Sequence, residues 1–180
     1  MQHSMQEQQH SKGYLQTSKE VFIKEILAVY TPNLQEKVSL NIENCITGNY
    51  STLAQLENSY GDKSAIAWLI PQITDCVAFT NNKGVLNDRQ VEALAALISS
   101  DYFYLKVSEI MLFFHKFKLG KYREIYGNFS PMAITLSLNE FIKERNAIYS
   151  RIELEKEWRK RKEEKKAAIP YSEYIKSKTK

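Results

Sequence analysis

The chain is short of the residues that define several large classes of protein. It has two cysteines in 180 residues, Cys45 and Cys76, in separate apolar segments and without CxxC spacing. That argues against a disulfide framework or a thiolate zinc site, and for two buried free thiols in a reducing compartment. Six glycines and four prolines are too few for a low-complexity or collagen-like chain. No apolar run approaches the ~18 residues that cross a bilayer. The polar, glutamine-rich start MQHSMQEQQHSKG has no signal-peptide hydrophobic region. These absences lead to the expectation of a cytoplasmic protein with no membrane partner. Sustained period-two alternation of β-branched residues is also missing, so no sheet is expected.

What is present is helical. Apolar residues make up 43% of the chain, enough for a real core. Thr17 to Glu20 has the pattern of a capping box, and Val21, Phe22, Ile26 and Val29 follow as a helical stripe. Pro32 restarts the chain, with Leu34, Val38, Ile42, Cys45 and Ile46 at spacings of three and four as far as Gly48. Ser51 is read as the cap of a short helix ended by Gly61. Residues 65–79 are apolar with Pro71 inside, which predicts a kink or a break. Asn87 to Gln90 forms a second capping-box pattern, before Val91, Leu94, Ala95, Leu97 and Ile98. The helix over 107–118 is apolar around most of its circumference and should be central. Ser130-Pro131 opens the longest helix, whose core stripe of Ile134, Leu138, Phe141, Ile142, Ile148, Tyr149 and Ile152 fades near residue 154. The reading is all-α: a compact multi-helix bundle of about six or seven helices with a long, protruding charged C-terminal helix. Its divisions are a flexible 1–16, a helical domain over 17–154, and a charged extension and tail over 155–180.

Enzyme-like constellations are thin. His115 has no His or Cys at i±3 or i±4, and a spacing of six separates it from Glu109. Paired carboxylates, a Ser-His-Asp set and a phosphate-binding glycine loop are not evident, so neither catalysis, a metal nor a cofactor is expected.

Two segments stand out instead. Between Gly120 and Gly127 lie Lys121, Tyr122, Arg123 and Tyr126. Cations there would neutralise phosphate and aromatic faces would accept bases. The competing view has the tyrosines packing across a helix–loop–helix junction, with the cations complementing the end of the preceding helix. The second segment is the tail. Residues 143–180 hold thirteen Lys/Arg against seven Glu, a net of +6, which leaves −2 for the preceding 142 residues. Along EKEWRKRKEEKK, Glu155 with Arg159, Glu157 with Arg161 and Lys160 with Glu164 are spaced for i,i+4 pairing, as in a solvated helix. Alternatively Arg159, Lys160, Arg161 and Lys162 bind nucleic-acid phosphates beside Trp158. Trp158, Tyr171, Tyr174 and Ile175 are also candidates for docking on a protein partner.

The run over 102–145 resembles a pattern in uncharacterised helical proteins of Bacteroidetes, their phages and their conjugative elements. There an "E-I-x-x-x-F" helix leads through a "G-x-Y-G-x-x-Y-G" loop to a helix ending in an aromatic and "x-x-x-R". The matching positions are Glu109, Ile110, Phe114, Gly120, Tyr122, Tyr126, Gly127, Phe141 and Arg145, with Arg123 replacing a glycine. The resemblance implies an accessory protein of a mobile element or phage, such as a helicase-loader-like adaptor at DNA replication. Its partner would be DNA or RNA. The alternative is a protein–protein adaptor acting through the C-terminal helix and tail. Oligomeric state is left open.

Overall fold

The computed structural model describes residues 30–80, 86–122 and 130–167. The expected helix after Thr17, the turn at 81–84 and the tail beyond Ala167 lie outside the described residues. A 3₁₀ turn, Pro32–Leu34, leads into seven α-helices among the described residues: α1 Gln35–Ser39, α2 Ile42–Thr47, α3 Leu53–Tyr60, α4 Ser64–Thr80, α5 Asp88–Asp101, α6 Val107–Lys118 and α7 Pro131–Ala167. No strand is present among these residues, so the fold is all-α. The chain divides into two compact units, Met1–Ile142 and Lys143–Lys180.

In the first unit α6 is the axis. Ten of its twelve residues are buried, including Ile110, Met111, Leu112, Phe113, Phe114 and Phe117. Each such side chain stabilises the fold by about 1.5–3 kcal/mol when removed from water. Around them in one core lie Cys45, Leu53, Leu56, Trp68, Leu69, Ile73, Leu94 and Ile98, with Ile134, Leu138 and Phe141 from the start of α7. Phe113 is the hub of an aromatic group, its ring 5.0 Å from Phe114, 5.9 Å from Phe117 and 5.6 Å from Phe141.

Several local differences from the sequence reading have simple causes. The stretch over 34–48 is not one helix. Asn41 adopts an extended conformation and its side chain accepts from the N–H of Asn44, so it restarts the helix as an N-cap. Leu40 is left exposed at that break. The cap of α3 is Thr52, not Ser51: Thr52 and Gln55 form a reciprocal capping box. Ser51 instead offers its carbonyl to the N–H of Val107, beside an antiparallel bridge between Thr52 and Lys106. Pro71 does not divide α4, whose Trp68, Leu69, Gln72 and Ile73 are buried on both sides of it. Packing outweighs the lost backbone bond there. Asn87 and Gln90 form the expected box at the start of α5. In the stripe of α7, Ile134, Leu138, Phe141 and Ile152 are buried, whereas Tyr149 is 44% exposed with Arg145 over its ring.

Polar groups inside the first unit are bonded into the helix ends. The Lys106 ammonium donates to the carbonyls of Ile46 (2.7 Å) and Gly48 (2.9 Å), and the Ser108 hydroxyl donates to that of Cys45 (2.7 Å). A cation at the C-terminal end of α2 is favourable for the helix dipole. Gly48 is required there, because a Cβ would lie 2.4 Å from the Asn44 carbonyl oxygen. Gln72 donates to the Tyr30 carbonyl (2.8 Å) and accepts from Gln35 (2.6 Å), while the Trp68 indole N–H donates to the same Tyr30 carbonyl (3.1 Å).

Both cysteines are buried free thiols. Burial pushes the Cys45 thiol up to about 11, with the Glu109 carboxylate adding to the rise and Lys116 opposing it. Burial, partly countered by Lys118, pushes that of Cys76 up to about 12. The folded state therefore holds these protons more tightly than the unfolded state, whose thiols titrate near 9.0. Their contribution is intact below pH 9 and stability is lost as pH rises from 9 toward 12. At pH 8 a disulfide reagent should label neither thiol in the folded protein and both in urea. Rapid labelling without denaturant would contradict this burial. Phe113→Ala should lower the free energy of urea unfolding by about 3–5 kcal/mol.

Candidate nucleic-acid interface

The sequence-predicted site residues fall into separate places. Gly120 has φ +71° and, with the N–H of Lys121 donating to the Lys116 carbonyl, closes α6 in the left-handed manner expected of a helix-ending glycine. Lys121 is exposed. Tyr122 is half-buried, its ring stacked on Phe113 (6.1 Å, 26° between planes) and edge-on to Phe141 (6.4 Å). Its aromatic surface is thus engaged at the junction of α6 and α7. Arg123 and Tyr126 lie outside the described residues, as do Tyr171, Tyr174 and Ile175.

The remaining candidates are on α7, in the second unit. Trp158 is 63% exposed, and Arg159, Lys160, Arg161 and Lys162 are exposed around it. A helix advances ~100° per residue, so four consecutive cations cannot share a face. Arg159 and Lys160 turn away from the indole by about 100° and 160°. The groups that do converge are Arg161 and Lys162 with two the sequence reading did not select, Arg151 and Lys165. With Leu154 and Trp158 they occupy a sector within about 65° of the indole, along roughly 21 Å of helix. Arg151, Leu154, Glu155, Glu157, Trp158 and Arg161 border one shallow hollow, and Trp158, Arg161, Lys162, Lys165 and Lys166 border the next. The sequence signal of this stripe is its spacing of three and four, which the contiguous basic run at 159–162 masks.

Three of the five carboxylates lie together on one flank, whereas Glu155 stands about 60° from the indole at the edge of the cationic sector and Glu163 about 140° away on the opposite flank. Glu153, Glu157 and Glu164 lie about 100–140° around the helix from Trp158, all on one flank. Two of the expected i,i+4 pairs form, Arg159 with Glu155 (3.8 Å) and Arg161 with Glu157 (3.7 Å), and Lys156 meets Glu153 at 3.0 Å. These are long or exposed contacts that support the helix by tenths of a kcal/mol and release a cation easily to a stronger anion. The Lys162 ammonium stands 4.8 Å above the Trp158 ring. That exposed cation–π contact, worth about 0.5–1 kcal/mol, favours this orientation of the indole while it stays open to solvent.

Other chemistry-bearing groups are enclosed. Glu109, on α6, is fully buried, and its carboxylate accepts from the N–H of Lys106 (2.9 Å) at the helix start. Lys116 is also buried. The sequence reading names Glu109 beside His115 and in the resemblance but places neither charge in the core, since a charged residue in an apolar helix carries no local sign of burial. Asp75 and Lys118 join α4 to α6 at 2.8 Å. Among the described residues no group of His, Cys, Asp and Glu is placed to hold a metal ion, and no helix is long and apolar enough to cross a membrane.

The fold and this surface define an all-α protein whose second unit presents a cationic, tryptophan-centred helix face. The chain belongs to a family of unknown function, DUF6633, which matches residues 86–180. No curated protein and no solved structure matches it. The matched span takes in α5, α6 and α7, whereas α1 to α4 precede it. Those preceding helices supply Cys45, Leu53, Leu56, Trp68, Leu69 and Ile73 to the core that surrounds α6. A chain limited to 86–180 should therefore show no cooperative thermal transition by far-ultraviolet circular dichroism, while the full chain does. A sharp transition in the short chain would show that α1 to α4 are dispensable for folding.

Proposed function

We propose that this is a non-enzymatic accessory protein that associates with nucleic acid through the second unit, of the helicase-loader-like kind that a phage or mobile element uses in replication. The observation that carries the binding reading is the segregation of charge. The division at residue 143 separates a span of −2 from one of +6, and within the latter Arg151, Arg161, Lys162 and Lys165 stand exposed on one helix face. A polyanion gains from all four at once, which a compact acidic ligand does not. The mobile-element setting is drawn from the resemblance over 102–145.

A second reading, a protein–protein adaptor working through α7 and the tail, is favoured by the exposure of Leu154 (67%) beside Trp158. Two apolar side chains at i,i+4 are the beginning of a helix-in-groove anchor. The four cations in the same sector give the first reading precedence.

In a mobility-shift assay the full chain should bind labelled DNA, with log K falling against log salt at a slope of about −3 for a single strand if four phosphates are neutralised. Arg161→Gln, Lys162→Gln and Lys165→Gln together should flatten the slope to about −1. Absence of any shift at low salt would sink the reading. Salt-insensitive self-association, abolished by Leu154→Lys in sedimentation, would favour the adaptor instead.

A further inference from the structure

We propose that the ligand of this face is a single strand, one of whose unpaired bases stacks on Trp158 while its phosphates run along Arg151, Arg161, Lys162 and Lys165. The inference rests on the nucleic-acid reading above and adds the class of nucleic acid. Three observations carry it. First, four cations share a sector in which Glu155, turned to Arg159 at its edge, is the one carboxylate, and Glu153, Glu157 and Glu164 occupy the flank beside it. A helix seated in the major groove of a duplex lies between two phosphate walls, and this acidic flank would face one of them. A single strand has one backbone, which can follow the cationic sector and leave the carboxylates in water.

Second, from 151 to 166 the helix carries no Asn, Gln, Ser or Thr. Of the side chains that read base edges in a groove it has Arg, Lys and Glu but neither amide, so adenine lacks its usual bidentate Asn or Gln partner here. Third, the indole is exposed, and Lys162 stands over its ring. The ring face away from that ammonium is available to a base. Bases in a duplex are already stacked on both sides, whereas those of a single strand are not, and stacking accepts any base.

The protein has two tryptophans, and Trp68 is 1% exposed in the core of the first unit. Indole fluorescence that changes on adding a ligand therefore reports Trp158. The full-length protein is titrated with oligothymidylate, with a blunt duplex of equal length, and with polyglutamate. Oligothymidylate should quench the emission and bind at least several-fold more tightly than the duplex. Trp158→Ala should weaken oligothymidylate about tenfold and the duplex by much less, and Trp158→Tyr should restore most of the loss. Because the side chain is exposed, circular dichroism of these variants should match the parent. Equal affinity for strand and duplex without quenching would overturn the stacking proposal and leave the nucleic-acid reading standing. Equal quenching by polyglutamate would show a general polyanion surface and overturn the proposal as well. Binding of neither nucleic acid would remove both.

Discussion

The first unit depends on one constraint: α6 is apolar around nearly its whole circumference and must be wrapped. A helix with a single apolar stripe needs one neighbour, but this one needs neighbours on every side. They are recruited from both directions along the chain, α1 to α4 before it and α5 and the first turns of α7 beside and after it. Complete enclosure also dictates what happens at the start of α6. Its first turn sits under α2, where unbonded carbonyls would be costly. Lys106 and Ser108 satisfy them, and Glu109 turns back to the N–H of Lys106. The polar residues of the apolar helix are the fasteners that make its burial tolerable.

Those fasteners also explain why the two halves of the first unit form a single core. Residues 51–54 and 103–107 exchange backbone bonds, with Leu53 donating to the Leu105 carbonyl, Ala54 to that of Phe103, and Val107 to that of Ser51. The segment leading into α3 is thereby tied to the segment leading into α6. A short two-stranded contact of this kind needs no named sheet to set the register between sequence-distant helices.

Much of this was legible in the sequence wherever the signal was local. The capping box at Asn87, the proline start of α7, the positive-φ glycine at 120 and the centrality of 107–118 each follow from residue type and spacing. What was not legible depended on distant partners. Nothing near Lys106 or Glu109 in the chain says that the first meets the carbonyls of α2 and the second is held in the core. Thr52 took the cap in place of Ser51 because the Ser51 carbonyl is claimed by Val107, more than fifty residues away. In the candidate site the residue types were readable, but the contiguous basic run concealed a helical sorting that places Arg159 and Lys160 away from Trp158 and brings in Arg151 and Lys165.

The weak carboxylate–cation pairs along α7 have a consequence for the cost of recognition. A basic tail of the ordinary kind is unstructured until it meets its ligand, and ordering it consumes part of the interaction energy. Here Glu155, Glu157 and Glu153 brace the neighbouring turns within the helix itself. The cations are thus spaced before any ligand arrives, and association can proceed without a folding step. Of these carboxylates Glu157 contests a cation of the proposed face, Arg161, so pre-organisation there comes with a lowered affinity. That combination suits a contact that is made quickly and released quickly.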